Sequence, residues 1–132
     1  MSEKLGIEVM RTQLGRVRGA GSAHAGVHHW YAERVTAIAL VPLTLWFVTS
    51  AISLAGAPYG AVVAWAQHPL NAVLLLALIV ATFHHMQLGI QVVLEDYVDA
   101  KWLMNVLILV NKAVAVLLGL FAAIAVVKLY VH

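Results

Sequence analysis

Two adjacent histidines, His84 and His85, lie in the middle of an apolar run otherwise suited to a lipid bilayer. Eleven residues after His85 stands Asp96, followed directly by Tyr97. At about 100° per residue, eleven helical steps return to nearly the same face, so His85, Gly89, Val92 and Asp96 would line one stripe. The rise from His85 to Asp96 is about 16 Å, roughly half the hydrocarbon thickness of a membrane. If Asp96 and Tyr97 mark the water interface, His85 lies near the membrane middle. An imidazole at that depth, beneath an interfacial acid and tyrosine, suits a redox cofactor under a proton-handling site.

Each of these residues also has a plainer reading. An ionisable group inside a span is costly and marks function by default, but a neutral imidazole can also serve as an interhelical hydrogen-bonder. Neighbouring helical residues point about 100° apart, so His84 and His85 cannot clamp one metal from opposite sides. The other histidines, His24, His28, His29, His68 and His132, fall near the ends of the apolar runs or outside them. A haem with one axial ligand from this run and one from a partner helix therefore fits better than a two-histidine site within the chain. Gly89, one turn from His85, would remove bulk where a flat ring could lie, or would permit close helix contact. Tyr97 could donate a hydrogen bond to a quinone carbonyl with Asp96 as a nearby proton relay, or the pair could be a solvated helix end. Arg34 could hold a haem propionate or sit beside a quinone; it could also be a snorkelling anchor, with Glu33 neutralising it. His28 is a polar residue ahead of the first span. Lys112 reads as a snorkelling lysine, Asn105 and Asn111 as interhelical hydrogen-bonders, and the tryptophans as interfacial belt residues.

The elements that must position these residues follow from composition. The chain has 132 residues, 63% hydrophobic and 11% charged, where a soluble domain carries about 25% charged residues. That identifies a single-domain integral membrane protein. Cysteine is absent, which excludes disulfides, thiolate-held iron–sulfur clusters and thiol catalysis. A net charge of +2 gives no reason to expect nucleic acid. The expected fold is all-α with three transmembrane spans, at about 35–54, 70–94 and 102–131. Residues 1–32 form a polar, basic N-terminal segment without the apolar core of a secretory signal, and 33–131 form the membrane anchor. Pro42 inside the first span is tolerated in membranes, and Pro69 suits the first turn of the second. Residues 55–69 read as a short loop free of Lys, Arg, Asp and Glu, broken by Gly56, Pro58 and Gly60. Lys4, Arg11, Arg16 and Arg18 place the N-terminus in the cytoplasm, so that Arg34, Asp96 and Tyr97 share the cytoplasmic face. Three helices make a thin bundle, and partner helices are expected.

Two motifs carry a resemblance. One is Gly26-Val27-His28-His29-Trp30 leading into Arg34-Val35-Thr36-Ala37-Ile38. The other is His85 with Gly89 four residues on, followed by Leu94-Glu95-Asp96-Tyr97-Val98. With the three-span layout, they make about residues 11–131 resemble the smaller hydrophobic membrane-anchor subunit of succinate dehydrogenase, in its alpha-proteobacterial form. The resemblance implies a non-catalytic subunit of succinate:ubiquinone oxidoreductase, respiratory complex II, as a multi-pass protein of the bacterial inner membrane. It implies that His85 is an axial ligand of haem b, shared with the larger anchor (cytochrome b) subunit. It further implies that Tyr97 hydrogen-bonds ubiquinone with Asp96 beside it, that His28 and Arg34 lie near the haem propionates and quinone pocket, and that flavoprotein and iron–sulfur subunits dock on the cytoplasmic face. His84 has no counterpart in the family pattern, and His29 stands where relatives can carry an acid. The alternatives are a fumarate reductase anchor, an anchor without haem, and a non-enzymatic three-span assembly or transport protein.

Overall fold

The computed structural model describes residues 12–13 and 25–131. Lys4, Arg11, Arg16 and Arg18, on which the expected orientation rests, lie outside the described residues, as do His24 and His132. The described chain forms four helices: α1 (Ala25–Ser53), α2 (Tyr59–Gln67), α3 (Pro69–Tyr97) and α4 (Lys101–Val131). Three of them, over Gly26–Ser53, Pro69–Tyr97 and Lys101–Val131, are long and apolar enough to cross a membrane. The three expected spans are therefore present.

Helix α1 begins well ahead of the apolar stretch, so His28, His29, Trp30, Glu33 and Arg34 all stand on the helix itself. Continuing the helix into polar sequence keeps the backbone groups paired as the chain enters the membrane. Pro42 lies inside α1 and leaves the Ile38 carbonyl without its usual partner four residues on.

The connection at 55–69 differs from the expected loop. Gly56 ends α1 with φ +79°, a backbone conformation costly for any residue with a Cβ. Pro58 then caps a new helix in extended conformation, and Ala61 N–H donates to its carbonyl at 2.9 Å. Gly60 thus falls in the first turn of α2 instead of breaking it. His68 separates α2 from α3 with ψ 126°, as expected for a residue ahead of proline, whose ring excludes the helical conformation there. Pro69 occupies the first turn of α3, where its missing N–H costs nothing. The Asn71 side chain donates to the Trp65 carbonyl at 2.8 Å, and the Trp46 and Trp65 rings stack with centroids 5.6 Å apart. Two of the tryptophans assigned to an interfacial belt therefore staple α2 onto α1.

Helix α3 is the middle of the molecule. It packs against α1 on one side and α4 on the other, while no Cα of α1 comes within 8 Å of α4. The long helices form an open row, not a closed triangle. Side chains buried between them are small: Ala72, Ala81 and Ala115, with Leu88 the one larger apolar group. Small residues let helix backbones approach, which is how helices associate where lipid is as apolar as the core. Asn111 donates to the Gln87 carbonyl at 2.9 Å and joins α4 to α3, whereas Asn105 is exposed.

Candidate functional site

His85 sits where α1 and α3 meet. Its Nδ1 lies 2.9 Å from the Thr36 hydroxyl, across 49 residues of sequence. The hydroxyl also faces two carbonyls of its own helix, Ala32 at 2.8 Å and Glu33 at 3.0 Å. The other imidazole nitrogen, Nε2, has no hydrogen-bond partner among the described residues and is not sealed from its surroundings. One turn on, Gly89 opens space: a Cβ built there would meet nothing within 4 Å. The site is a half-buried imidazole fixed at one nitrogen, free at the other, beside room for a planar group.

Thr36 bonds to His85 at one end of the helix pair, and Trp46, ten residues further, stacks on Trp65 just ahead of α3. The two helices are thus antiparallel, and the start of α1 shares an end with the finish of α3. Along the axes, His28 lies about 12 Å and Tyr97 about 18 Å from the Thr36–His85 contact, in the same direction. Asp96 falls about 20° from His85 in helical angle, so the expected stripe holds, while Tyr97 is turned by about a further 100°. Asp96 is exposed and Tyr97 is 82% exposed, so this chain supplies no walls around them.

The two histidines at the start of α1 have different surroundings. His29, seven residues before Thr36, shares its face, and its Nε2 is buried without a hydrogen-bond partner. His28 is exposed. Arg34 is also exposed, about 160° round α1 from Thr36, and its guanidinium lies 5.6 Å from the centre of the Trp30 ring. That cation–π contact, and no carboxylate from Glu33, is what Arg34 meets among the described residues.

A second polar line runs along α3, unforeseen from residue spacing. Gln87 donates to Gln91 at 3.1 Å, and Gln91 donates to Glu95 at 2.8 Å. This ladder climbs α3 from a buried carboxamide to the exposed helix end, and its i, i+4 period is visible in the sequence. Gln87 also lines a cavity of about 410 Å³ between α3 and α4, with His84, Phe83 and Lys112. His84 lines a groove between α1 and α3 as well, beside Thr36. His84 thus lines grooves on both sides of α3, one of them beside Thr36, while its side chain leaves the helix about 100° from that of His85. Thr36 also escapes a reading of the sequence, because an ordinary threonine in a span shows its purpose only when its distant partner is known.

No group of three or more His, Cys, Asp or Glu side chains among the described residues converges on a metal-sized point. A haem brings four nitrogen ligands of its own and asks a protein for one or two axial ones. The free Nε2 of His85 and the space at Gly89 fit that demand; a bare ion would find too few donors.

Comparison with known proteins identifies the family. Residues 8–127 match the family of succinate dehydrogenase/fumarate reductase transmembrane subunits. The chain is 33% identical over 107 residues to the succinate dehydrogenase hydrophobic membrane anchor subunit of Rickettsia bellii, covering 81% of this chain and 86% of that one. It is 32% identical over 101 residues to the subunit of the same name from Rickettsia conorii, covering 76% and 80%. No solved structure matches. The chain belongs to the succinate dehydrogenase/fumarate reductase transmembrane subunit family, as a hydrophobic membrane anchor with three spans.

Proposed function

We propose that this chain is the smaller membrane anchor of a bacterial succinate:ubiquinone oxidoreductase, set in the inner membrane. It would help bind haem b and ubiquinone and attach the iron–sulfur and flavoprotein subunits beside a larger cytochrome b anchor. The observation that carries the reading is His85 itself, with Nδ1 engaged by Thr36 and Nε2 free. The bond to Thr36 gives one nitrogen an interhelical role; the second nitrogen, open at membrane depth, is the one that packing does not use.

In this reading His85 Nε2 would hold the haem iron from this chain, with a further ligand from the partner anchor. Haem b supplies one-electron carriage when bound. Gly89 leaves its ring room. By the family resemblance Arg34 and His28, at the entry to α1, would lie near the propionates, Arg34 from the face of α1 turned away from Thr36, and a polar group arriving at the same end would satisfy the buried Nε2 of His29.

Ubiquinone reduction takes two electrons and two protons, delivered from succinate through the partner subunits and from water at the interface. Tyr97 O–H donates a hydrogen bond to one quinone carbonyl and orients the ring; Asp96 holds or passes a proton beside it. Tyr97 is so exposed that the rest of the pocket must come from the other subunits, which agrees with an anchor that works only in complex. Membership of the family leaves fumarate reduction open as the direction of flow; the Rickettsia relatives carry the succinate dehydrogenase name and favour oxidation.

The test is to tag the chain, purify it in mild detergent, and take a reduced-minus-oxidised spectrum. A b-type band with flavin and iron–sulfur partners, lost in His85→Ala, is the expected result. Partners without any band would remove haem and keep the anchor. Neither partners nor band would overturn the reading, leaving a three-span assembly or transport protein.

A further inference from the structure

We propose that Thr36 is a positioning residue that selects the iron-ligating tautomer of His85 before haem arrives; this rests on the axial-ligand reading above. A threonine hydroxyl carries one proton. In α1 that proton has two acceptors within reach on its own helix, the Ala32 carbonyl at 2.8 Å and the Glu33 carbonyl at 3.0 Å. Donating there leaves the oxygen lone pair facing His85 Nδ1 at 2.9 Å. The contact is then a hydrogen bond only if Nδ1 carries the hydrogen. A neutral imidazole protonated at Nδ1 has its lone pair on Nε2, the nitrogen that finds no partner among the described residues.

The opposite assignment would turn the hydroxyl away from both carbonyls and put the imidazole hydrogen on Nε2. It would lose the local bond and block the ligating nitrogen. Helix α1 thus acts on α3 in two ways. It fixes the ring's rotation by a bond 49 residues away in sequence, and it sets which nitrogen faces the cofactor space. The bond to Nδ1–H also makes the imidazole a stronger donor to iron, which favours the ferric state and lowers the reduction potential.

The experiment uses the whole complex carrying Thr36→Val, which keeps the side-chain shape and removes the hydroxyl, and Thr36→Ser, which restores it. Haem per complex and the haem midpoint potential are measured by optical redox titration, with His85→Ala beside them. Thr36→Val is expected to weaken haem retention about tenfold, the usual scale for losing an outer partner of a metal ligand, and to raise the midpoint potential. Thr36→Ser is expected to restore both. A purely structural threonine would alter assembly without this paired shift and rescue.

The outcomes separate. If His85→Ala keeps the band, the axial reading fails and the inference falls with it. If His85→Ala loses the band but Thr36→Val titrates as wild type, the inference alone is overturned. Should Thr36→Val fail to assemble, solid-state ¹⁵N NMR of the histidines in the full wild-type chain prepared without haem decides. A hydrogen on His85 Nδ1 upholds the proposal, and one on Nε2 overturns it.

Discussion

Gly89 offers the sharpest separation between a site for a flat ring and a mere helix contact. A Cβ added there meets nothing within 4 Å among the described residues, which leave room for a larger residue. Helix propensity favours the change: alanine is better than glycine by about 0.8–1.0 kcal/mol in a helix interior. Taken alone, the anchor carrying Gly89→Ala should be no less stable than wild type, and Gly89→Leu should fold as well, since its four extra carbons enter open space. In the complex that space is where the ring bound to His85 is expected. Filling it should push haem out, because even overpacking by a few methylenes costs about 1–3 kcal/mol, or roughly 5- to 150-fold in occupancy. The assay is haem per complex by pyridine haemochrome, run beside a subunit stain of the same preparation. The expected result is intact subunits with haem reduced at least fivefold in Gly89→Leu and less affected in Gly89→Ala. Full haem with an unshifted spectrum in Gly89→Leu would refute the placement of a ring there. Loss of the partner subunits from both variants would show that the space belongs to a partner helix instead.

Three further outcomes follow from the same structure. Tyr97→Phe removes one exposed hydroxyl and nothing of the packing, so the complex should assemble normally while quinone reduction falls about tenfold, the scale of one hydrogen bond of about 1.4 kcal/mol. Wild-type quinone reductase rates would sink the role given to Tyr97. Gly56→Val forces a branched side chain into φ +79° and should destabilise the α1–α2 corner by about 1–2 kcal/mol, read as a lower thermal midpoint in detergent, with Gly56→Asn affected much less. Asn111→Leu removes the α4–α3 bond at 2.9 Å and should cost only about 0.6 kcal/mol, the mean for such bonds in membranes; a loss several times larger in reversible unfolding would mean that Asn111 also meets a partner.

Hydropathy is enough to find the three spans, because a chain that crosses a bilayer as helices needs long apolar runs to pair its backbone within each segment. It is a poor guide to where helices begin. Helix α1 starts at Ala25 in polar sequence, and α2 forms across Pro58 and Gly60 in a stretch that composition marks as broken. Proline and glycine break a helix interior, yet both are tolerated ahead of and within a first turn, where the N–H groups have no intrahelical partner anyway. The stripe from His85 to Asp96 is legible for a different reason: both residues lie on one helix, so period alone relates them. Thr36 is not, since nothing local ties it to a histidine in the next span. Arg34 shows the same limit in reverse. Its sequence neighbour Glu33 suggests an ion pair, but adjacent helical residues diverge, and Trp30 one turn away is what the guanidinium meets.

The open row of helices explains why such a chain is not sufficient by itself. Helices α1 and α4 each touch α3 and not each other, and the seams are closed mostly by alanines. In water such a row would collapse onto its apolar side chains; in lipid there is no such drive, and what remains exposed must suit its surroundings. Most of it does, being valine, leucine and isoleucine. Two places do not. One is the open Nε2 of His85; the other is His84 with Lys112, around the cavity between α3 and α4. Polar groups at membrane depth are costly against acyl chains and are found facing protein, ligand or water. His84 and His85 leave α3 about 100° apart and Lys112 comes from α4, so the two sets are not one continuous patch. The proposed cofactor at His85, with protein or water beside His84 and Lys112, would satisfy both.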